Sequence, residues 1–345
     1  MKDSLTSSSP TLLTPPVSPP ESQVRNWFFL PDDDPVIDHI KTVMWDRDNP
    51  PTRWRAARLS PAAYVYWEQE TGWKVVAKFY ASKTGRAAPQ HAEREYHRTR
   101  QAWEYLGAEQ AGRPVKPLGL WEGALFLEFV PGLTLEDQIA IRRSQPGKLA
   151  YILATVGRFL ATLHANSLQP EFTPDFGPAA DYAHRLIDNL ARHGVLRNHP
   201  RVESGLALLV EKWATDPLVW DYPQTCNHGD ATTTNFIFPP QGGVVAIDWE
   251  RSQTADPAAD LGRLMAEVTH SVNQHGGDFA EGLAFAEHLA AVYCASLPSD
   301  WNTENLVKRA RFYQATSTLR IARNGWLARL DRLALALEAF ALLSK

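Results

Sequence analysis

Hydrophobic and polar residues follow two different patterns along this chain, one before about residue 131 and one after it. In the first part, short runs of β-branched and aromatic residues are bounded by turns such as Thr71-Gly72, which is typical of strands. In the second part, apolar residues recur at helical spacing, as in Ile152, Val156 and Phe159. The predicted strands cover residues 54–59, 63–69, 73–80, 113–121 and 124–130. The patterns therefore predict an α+β protein with a small five-stranded antiparallel sheet and a larger helical region.

The predicted helices are distributed unevenly between these two regions. One helix is predicted inside the sheet region, over residues 89–106. The second region has predicted helices over 180–193 and 200–215 and over most of 262–345. Residues 26–48 form an amphipathic opening segment, which we expect to pack Trp27, Phe28, Phe29 and Val43 onto the main body.

Residues 1–23 have a composition unlike that of the rest of the chain. They are rich in Ser, Thr and Pro, and the pairs Pro15-Pro16 and Pro19-Pro20 favour extended polyproline geometry. Because such a composition buries too little apolar surface to offset the entropy of ordering, we predict a disordered tail.

Composition and charge limit the classes of function. The 345 residues are 44% hydrophobic and 21% charged, as in globular proteins. The net charge is −4, whereas nucleic-acid-binding proteins have an excess of basic residues. A negative net charge permits a cationic small-molecule substrate. The two cysteines indicate no disulfide framework, and no apolar run is long enough to cross a membrane. Since no secretory signal is evident either, we expect a cytoplasmic protein without membrane or nucleic-acid partners.

The candidate catalytic residues concentrate between Cys226 and Leu261. His228-Gly229-Asp230 is followed, after four residues, by Asn235, and a predicted hairpin over 235–249 turns through a Pro/Gly-rich segment. This hairpin returns Asp248 close to Asn235 and to the Asp230 loop. One carboxylate can then accept a proton, while a carboxylate and an amide can hold a hard cation. That combination suits phosphoryl transfer assisted by Mg²⁺.

The order of these motifs resembles that of a known enzyme family. HGD-x4-N, then IDW, then Asp256-Pro257-x2-Asp260-Leu261 is similar to the aminoglycoside phosphotransferase and choline kinase group of kinase-like enzymes. Protein kinases carry HRD and DFG instead. Only seven residues separate Asp248 from Asp256, which leaves no room for their activation segment. The resemblance implies a two-lobed protein-kinase-like fold with ATP bound between the lobes. The nucleotide-binding lobe would span 24–131. The helical lobe would span 132–345 and carry the catalytic loop, the metal site and the substrate pocket.

The resemblance also implies roles for individual residues. Asp230 would orient the acceptor hydroxyl and accept its proton, and Asn235 and Asp248 would bind Mg²⁺. Lys78, in Val75-Val76-Ala77-Lys78-Phe79, matches the strand lysine that steadies the α- and β-phosphates. Its partner on the following helix would be Glu95, with Glu93 as the alternative.

Nucleotide contacts are implied at two further places. The backbone carbonyl of Glu128 and the backbone N–H of Val130 would meet the adenine edge at the family's hinge. The loop over residues 59–63 would cover the phosphates, but it contains no glycine, unlike that of protein kinases. ATP is the expected nucleotide, and GTP remains an alternative.

Neighbouring polar residues are expected to support this site. Asp256 precedes Pro257, so we assign it to helix capping. By resemblance, Asp260 braces the catalytic loop. His228 has no proton to move in this scheme and would shape the loop through hydrogen bonds to backbone or to Asp248. His164 is expected to be structural.

The sequence thus predicts an ATP-dependent phosphotransferase acting on a hydroxyl of an aminoglycoside-, macrolide-, choline- or homoserine-like molecule. A kinase-like nucleotide-binding module with weak or no catalysis is the alternative. A hydrolase built on His228, Asp230 and Asp248 would not account for Lys78. The acceptor and the oligomeric state stay open. An aromatic and anionic cup for an amine could be formed by Trp213, Trp220 and Tyr222 with Asp181, Asp216 and Asp221. Core packing of the aromatic residues and solvation of the acids are the favoured interpretation.

Overall fold

The structure, a computed structural model, describes residues 27–31, 33–44, 53–81, 85, 87–106 and 112–345. The predicted tail over residues 1–23 lies outside the described residues. The described chain divides into two compact units, one within Met1–Gln101 together with Val115–Val130, the other Ala102–Pro114 together with Pro131–Lys345.

The first unit is built on an antiparallel sheet of six strands in the order β1-β2-β3-β4-β7-β6. The elements up to residue 128 are β1 (Phe28–Phe29), α1 (Pro35–His39), β2 (Trp54–Arg58), β3 (Ala63–Glu68), β4 (Lys74–Phe79), α2 (Pro89–Leu106), β5 (Gly112–Pro114), β6 (Pro117–Trp121) and β7 (Ala124–Glu128). Along β4, Val75 and Ala77 are buried, which places Lys78 on the opposite face, as the alternation predicts. The core includes Tyr66 of β3 and Phe126 of β7, the two strands that flank β4.

The observed sheet differs from the predicted five-stranded one in two respects: it has one strand more, and one predicted strand is divided. The sixth strand, β1, forms in the opening segment, where only amphipathic packing is predicted from the sequence. The predicted packing was wrong for Phe29 and Val43, which are largely exposed. The single strand predicted over 113–121 is two strands, because β5 belongs to the second unit and pairs in parallel with another strand of that unit. Pro114 and Pro117 explain the break, since proline has no N–H to donate to a continuous ladder.

The second unit is mainly helical, as predicted. Its elements after β5 are β8 (Leu133–Thr134), α3 (Leu135–Ala140), α4 (Lys148–Asn166), α5 (Gly177–Arg192), α6 (Pro200–Ala214), β9 (Thr225–Asn227), β10 (Phe236–Phe238), β11 (Val244–Ala246), β12 (Gln253–Ala255), α7 (Pro257–Gln274), α8 (Phe279–Ala295), α9 (Thr303–Ala322) and α10 (Arg329–Leu343). Helix α7 packs against α8 and α9, and Phe312 and Leu319 of α9 lie in a core shared with α5, α6 and α10. None of the described helices combines the length and apolar character needed to span a bilayer.

Two small strand pairings frame the catalytic stretch in this unit. The predicted hairpin is confirmed, with Phe236 of β10 opposite Ala246 of β11 in antiparallel register. These strands belong to a sheet in the order β5-β11-β10-β8. Strand β9, which leads into His228, pairs with β12, which leads into α7. The loop at 228–235 and the start of α7 are therefore fixed by the same pairing.

Candidate active site

The loop from His228 to Asn235 places two of the predicted site residues in direct contact. Asn235 ends a 3₁₀ turn, and its Nδ2 donates a hydrogen bond of 2.9 Å to the backbone oxygen of Asp230. This bond occupies the amide nitrogen, so the side-chain oxygen of Asn235 is the atom that can meet a cation. The backbone N–H of Ile247 donates to the backbone oxygen of Asn235 at 2.9 Å, which brings the residue before Asp248 beside the loop.

Asp248 occupies a strained turn directly after β11. Its φ of 66° and ψ of 61° lie in the left-handed region, which costs about 1–2 kcal/mol for a residue with a Cβ and is tolerated best by Asn and Asp. Trp249 holds the turn, because its indole is fully buried and its Nε1 donates to the backbone oxygen of Ala246 at 3.0 Å. The tryptophan of the IDW motif thus fixes the backbone from which the Asp248 carboxylate projects.

His228 is a buried, neutral part of the loop framework. Burial lowers the pKa of the imidazole, which therefore carries no charge at pH 7. Its Nε2 lies 2.9 Å from the backbone oxygen of Ile247, and its Nδ1 accepts from the backbone N–H of Asp230 at 3.3 Å. These contacts define the tautomer with the proton on Nε2. Of the two options that the sequence leaves open, the ring thus bonds to backbone rather than to Asp248.

Asp260, in the first turn of α7, holds the backbone of the same loop. Its Oδ2 accepts from the N–H of His228 at 2.6 Å, and its Oδ1 accepts from the N–H of Gly229 at 2.9 Å. Burial alone would raise the pKa of Asp260, but hydrogen bonds from His164 and the loop backbone lower it. His164 is itself buried against the hydroxyl of Tyr293, in agreement with its predicted structural role. The carboxylate of Asp260 therefore stays ionised and fixes the loop geometry.

The side chain of Asp230 contacts an arginine that was not predicted from the sequence. Nη1 of Arg263, on α7, donates to Oδ1 of Asp230 at 2.7 Å, and Arg251 lies 3.9 Å from the same oxygen. Arg263 is three residues after Asp260, which places both on one face of α7. Because Asp260 was already expected to brace the loop, this spacing is the signal that could have pointed to Arg263.

Lys78 and Glu95 form an ion pair inside the first unit. The Lys78 Nζ lies 2.8 Å from Oε2 of Glu95, and only 1% of Glu95 is exposed to solvent. Glu93 is exposed on the other side of α2. Of the two glutamates that the sequence leaves open, the structure therefore pairs Lys78 with Glu95.

The remaining nucleotide residues of the prediction lie at the end of β7. Glu128 is the last residue of β7, and its backbone N–H and side-chain Oε1 both bond to the backbone of Lys116. Val130 follows two residues later, outside the strand. The position of neither residue tests a contact with adenine, so the adenine contacts of Glu128 and Val130 stay predictions.

The loop over residues 59–63 is closed on itself. The N–H groups of Leu59 and Ser60 donate to the backbone oxygen of Ala63, at 2.8 and 3.1 Å. The N–H groups of Ala62 and Ala63 donate to the hydroxyl of Ser60. Because these four amides have acceptors within the loop, they are not aimed outward as in a glycine-rich phosphate loop.

Asp256 has a second partner besides the helix that it caps. Its Oδ1 accepts from the N–H of Ala258 at 2.9 Å, which confirms the cap. The same carboxylate forms two hydrogen bonds of 2.8 and 3.3 Å with Arg309 of α9, and Arg309 is only 2% exposed. Capping alone was therefore an incomplete account of Asp256, which also neutralises a buried guanidinium.

The Asp256→Asn substitution is accordingly expected to destabilise the fold, although asparagine caps helices as well as aspartate does. The free energy of unfolding should fall by about 3 kcal/mol, the lower end of the range for removing one partner of a buried ion pair. Denaturant unfolding measures this change. The double variant Asp256→Asn/Arg309→Met, which removes both charges, should recover part of the loss. A change in Asp256→Asn as small as that of a surface substitution would contradict the ion-pair assignment.

Two of the three aromatic residues considered as an amine cup are core residues. Trp213 is buried, packs against Phe312 and donates from Nε1 to the backbone oxygen of Leu343 at 2.9 Å. Tyr222 is also buried, and the guanidinium of Arg309 lies 5.0 Å from its ring centroid. Core packing is therefore confirmed for these two residues. It is wrong for Trp220, which is 40% exposed and donates from Nε1 to the backbone oxygen of Ala214 at 2.8 Å.

Comparison with known proteins gives one family match and many matches of fold. The model of the family described as "APH: Phosphotransferase enzyme family" matches residues 56–303, which is more than half of the chain. A search of curated proteins finds no match.

The solved structures with a similar fold include several kinases of small molecules. An ethanolamine kinase from Plasmodium vivax is 12% identical, with a TM-score of 0.55 over 84% of this chain and 82% of that one. An aminoglycoside phosphotransferase from Alicyclobacillus acidocaldarius is 18% identical, with a TM-score of 0.55 over 88% and 93%. An aminoglycoside phosphotransferase in a ternary complex with streptomycin and ATP is 14% identical, with a TM-score of 0.55 over 92% and 97%. These similarities confirm the predicted fold class.

Proposed function

The chain belongs to the APH phosphotransferase enzyme family, and on that premise we propose that it transfers the γ-phosphate of ATP to a hydroxyl group of a small molecule. A phosphotransferase acting on small molecules is what family membership establishes. The nucleotide, the metal and the roles of individual residues are the proposed part. The observation that carries the proposal is the hydrogen-bonded convergence of Asp230, Asn235 and the Ile247-Asp248 turn.

The donor atoms at this convergence suit a hard divalent cation. Asn235 offers its side-chain oxygen, because its nitrogen is held by the backbone of Asp230. Asp248 offers a carboxylate from a turn that the buried Trp249 keeps in place. Oxygen ligands of this kind are those that Mg²⁺ binds in proteins. When bound, Mg²⁺ would supply positive charge to the terminal phosphates of the nucleotide.

Asp230 is proposed to act on the acceptor hydroxyl. Oδ1 of its carboxylate is held by Arg263 at 2.7 Å, so Oδ2 is the oxygen that can receive the hydroxyl proton. Two further bonds fix the residue: its N–H donates to His228, and its backbone oxygen accepts from Asn235. Because Asp230 is held at three points, it needs little reorganisation when the substrate binds, which favours proton transfer.

Lys78 is proposed to hold the α- and β-phosphates. Its ammonium group is oriented by the buried carboxylate of Glu95 at 2.8 Å. A streptomycin–ATP complex among the proteins of similar fold supports ATP as the nucleotide, and GTP is tested beside it. One observation favours the alternative of a weakly active nucleotide-binding module: the amides of the 59–63 loop are bonded within that loop.

The nucleotide is expected to stabilise the protein only together with Mg²⁺. At ATP concentrations about 100-fold above the dissociation constant, ligand binding adds about 2.7 kcal/mol to the free energy of unfolding. We expect this gain in Mg²⁺ and its loss in EDTA, measured as the shift in melting temperature with ATP and with GTP. The Asp248→Asn variant should show a reduced gain. Asp181→Asn, which removes an exposed carboxylate on α5, is the matched control. Equal stabilisation in EDTA and in Mg²⁺ would rule out the metal roles of Asn235 and Asp248.

A further inference from the structure

The carboxylate of the proposed base contacts a cation from the protein itself. Arg263 reaches Asp230 from α7, and both side chains are partly open to solvent, at 20% and 18% exposure. Only one of the five N–H groups of the guanidinium is used in this contact. Within the described part of the chain, no acceptor takes the others. Arg263 can therefore donate to a ligand and to Asp230 at the same time.

The carboxylates around this arginine are already matched by cations. Glu267 lies one turn after Arg263 on α7 and forms an ion pair with Arg320 of α9. Burial raises the pKa of Glu267, although Arg320 opposes the shift, so Glu267 is a poor anchor for an added cation. Glu250 faces Arg251 at 3.9 Å.

A second acid near the loop is also engaged. Glu136 of α3 accepts from the hydroxyl of Thr233 at 2.6 Å, and its other oxygen lies 2.8 Å from Nε2 of His275. Among the described residues, Glu267, Glu250 and Glu136 thus each face a cation or a hydrogen-bond donor of the second unit, and Asp248 is assigned to the metal. A positively charged acceptor would meet the guanidinium of Arg263 without an uncommitted carboxylate to hold it, whereas an anionic acceptor would meet open N–H donors.

We propose that the acceptor is an anionic hydroxyl compound, a hydroxy acid whose carboxylate binds Arg263 while its hydroxyl group faces Oδ2 of Asp230. This inference rests on the proposed function and names its substrate class. Arginine suits this role because its planar fork can bond to two carboxylates at once. It also revises the sequence-based expectation, which accepted a cationic substrate on the basis of net charge.

The reaction balances without a further reactant. The hydroxyl proton passes to the Asp230 carboxylate, and the hydroxyl oxygen forms a bond to the γ-phosphorus of ATP. The bond between that phosphorus and the oxygen bridging to the β-phosphate breaks, so that ADP leaves with that oxygen. The products are ADP, a phosphorylated hydroxy acid and one proton, which Asp230 returns to solvent.

Matched acceptors of equal chain length test the proposal. Gluconate, sorbitol and 1-amino-1-deoxysorbitol share a polyol chain and differ in charge at one end. Glycerate, glycerol and 3-amino-1,2-propanediol form a shorter set. Measured by ADP release, kcat/KM for each acid should be about 10–100-fold above that for its amine partner. The acid gains a charge-assisted hydrogen bond from Arg263, whereas the amine brings a like charge close to the guanidinium. Acids that are no better than their amine and neutral partners overturn the proposal.

Arg263 variants distinguish binding of the acceptor from support of Asp230. In Arg263→Gln, the ratio of kcat/KM for gluconate to that for sorbitol should collapse towards one, mainly through a higher KM for gluconate. A residue that only positioned Asp230 would lower both values equally and leave the ratio unchanged, and that result overturns the proposal. Arg263→Lys should restore part of the ratio. Arg201→Gln, which removes an exposed arginine at the start of α6, should keep it.

Failure of the proposed phosphotransferase function and failure of the anionic-acceptor assignment give different experimental results. Loss of the proposed function appears as absent Mg·ATP binding, or as slow ATP hydrolysis that does not depend on Asp230. If nucleotide binding and Asp230-dependent turnover are present but amines outperform acids, the assignment of an anionic acceptor alone is wrong.

Discussion

The Asp230→Asn variant is expected to bind Mg·ATP as the parent protein does while its turnover falls by roughly 10²–10⁴-fold, the usual contribution of a general base. Asparagine keeps the shape of the side chain and an oxygen that can accept from Arg263, but it cannot take a proton. Because the side chain is partly exposed, the loss of charge should change the stability of the fold little. The measurements are nucleotide affinity by calorimetry and ADP release.

A contrasting variant assigns these roles separately. Asp248→Asn should weaken Mg·ATP binding itself, because a neutral amide is a poorer ligand for a hard dication than a carboxylate. The Asp256→Asn variant is not a neutral comparison, since that residue also holds the buried Arg309. Full activity in Asp230→Asn would contradict the base assignment and support the nucleotide-binding module instead. Similar losses of folding and binding in both variants would indicate general damage to the loop.

Local sequence signals were enough to predict the parts of the site that lie close together along the chain. The hairpin that returns Asp248 was predictable, because two apolar runs flank a Pro/Gly turn and the register follows from the turn. The face of β4 that carries Lys78 followed from strict alternation, since Val75 and Ala77 had to be buried. In both cases the period of the side chains fixes the geometry without knowledge of distant contacts.

Contacts between distant helices could not be predicted in the same way. Arg309 meets Asp256 across 53 positions, and nothing in the periodicity of α9 distinguishes this arginine from an exposed one. The departure of β5 from the main sheet is also a long-range event, because its partner β11 lies about 130 positions later in the chain. Only the packed arrangement of these elements reveals that Arg263 reaches the base and that Asp256 has a second role.

Gly229→Ala is expected to damage both folding and activity, because the position has no room for a side chain. Its φ is +78°, and a Cβ added there would collide with the carbonyl oxygen of Arg251 and lie 2.6 Å from its carbonyl carbon. The loop would have to shift away from Asp260, whose Oδ1 accepts from the Gly229 N–H. This also explains why the arginine of the protein-kinase HRD motif is not found here.

We expect Gly229→Ala to lower the free energy of unfolding by roughly 3 kcal/mol or more, since backbone strain costs about 1–2 kcal/mol and a weakened hydrogen bond to a charged group about 1.5–3 kcal/mol. Turnover should fall on the order of 10²-fold in the protein that remains folded, the effect of displacing a catalytic group by about 1 Å. Gly194→Ala is the matched control, because Gly194 has a φ of +76° but a Cβ added there would meet no atom within 4 Å. Gly194→Ala should lower the free energy of unfolding only by the cost of backbone strain, and it should keep full turnover. Equal effects of the two substitutions would mean that left-handed strain, and not the contact with Arg251, determines the need for glycine in the loop that carries Asp230.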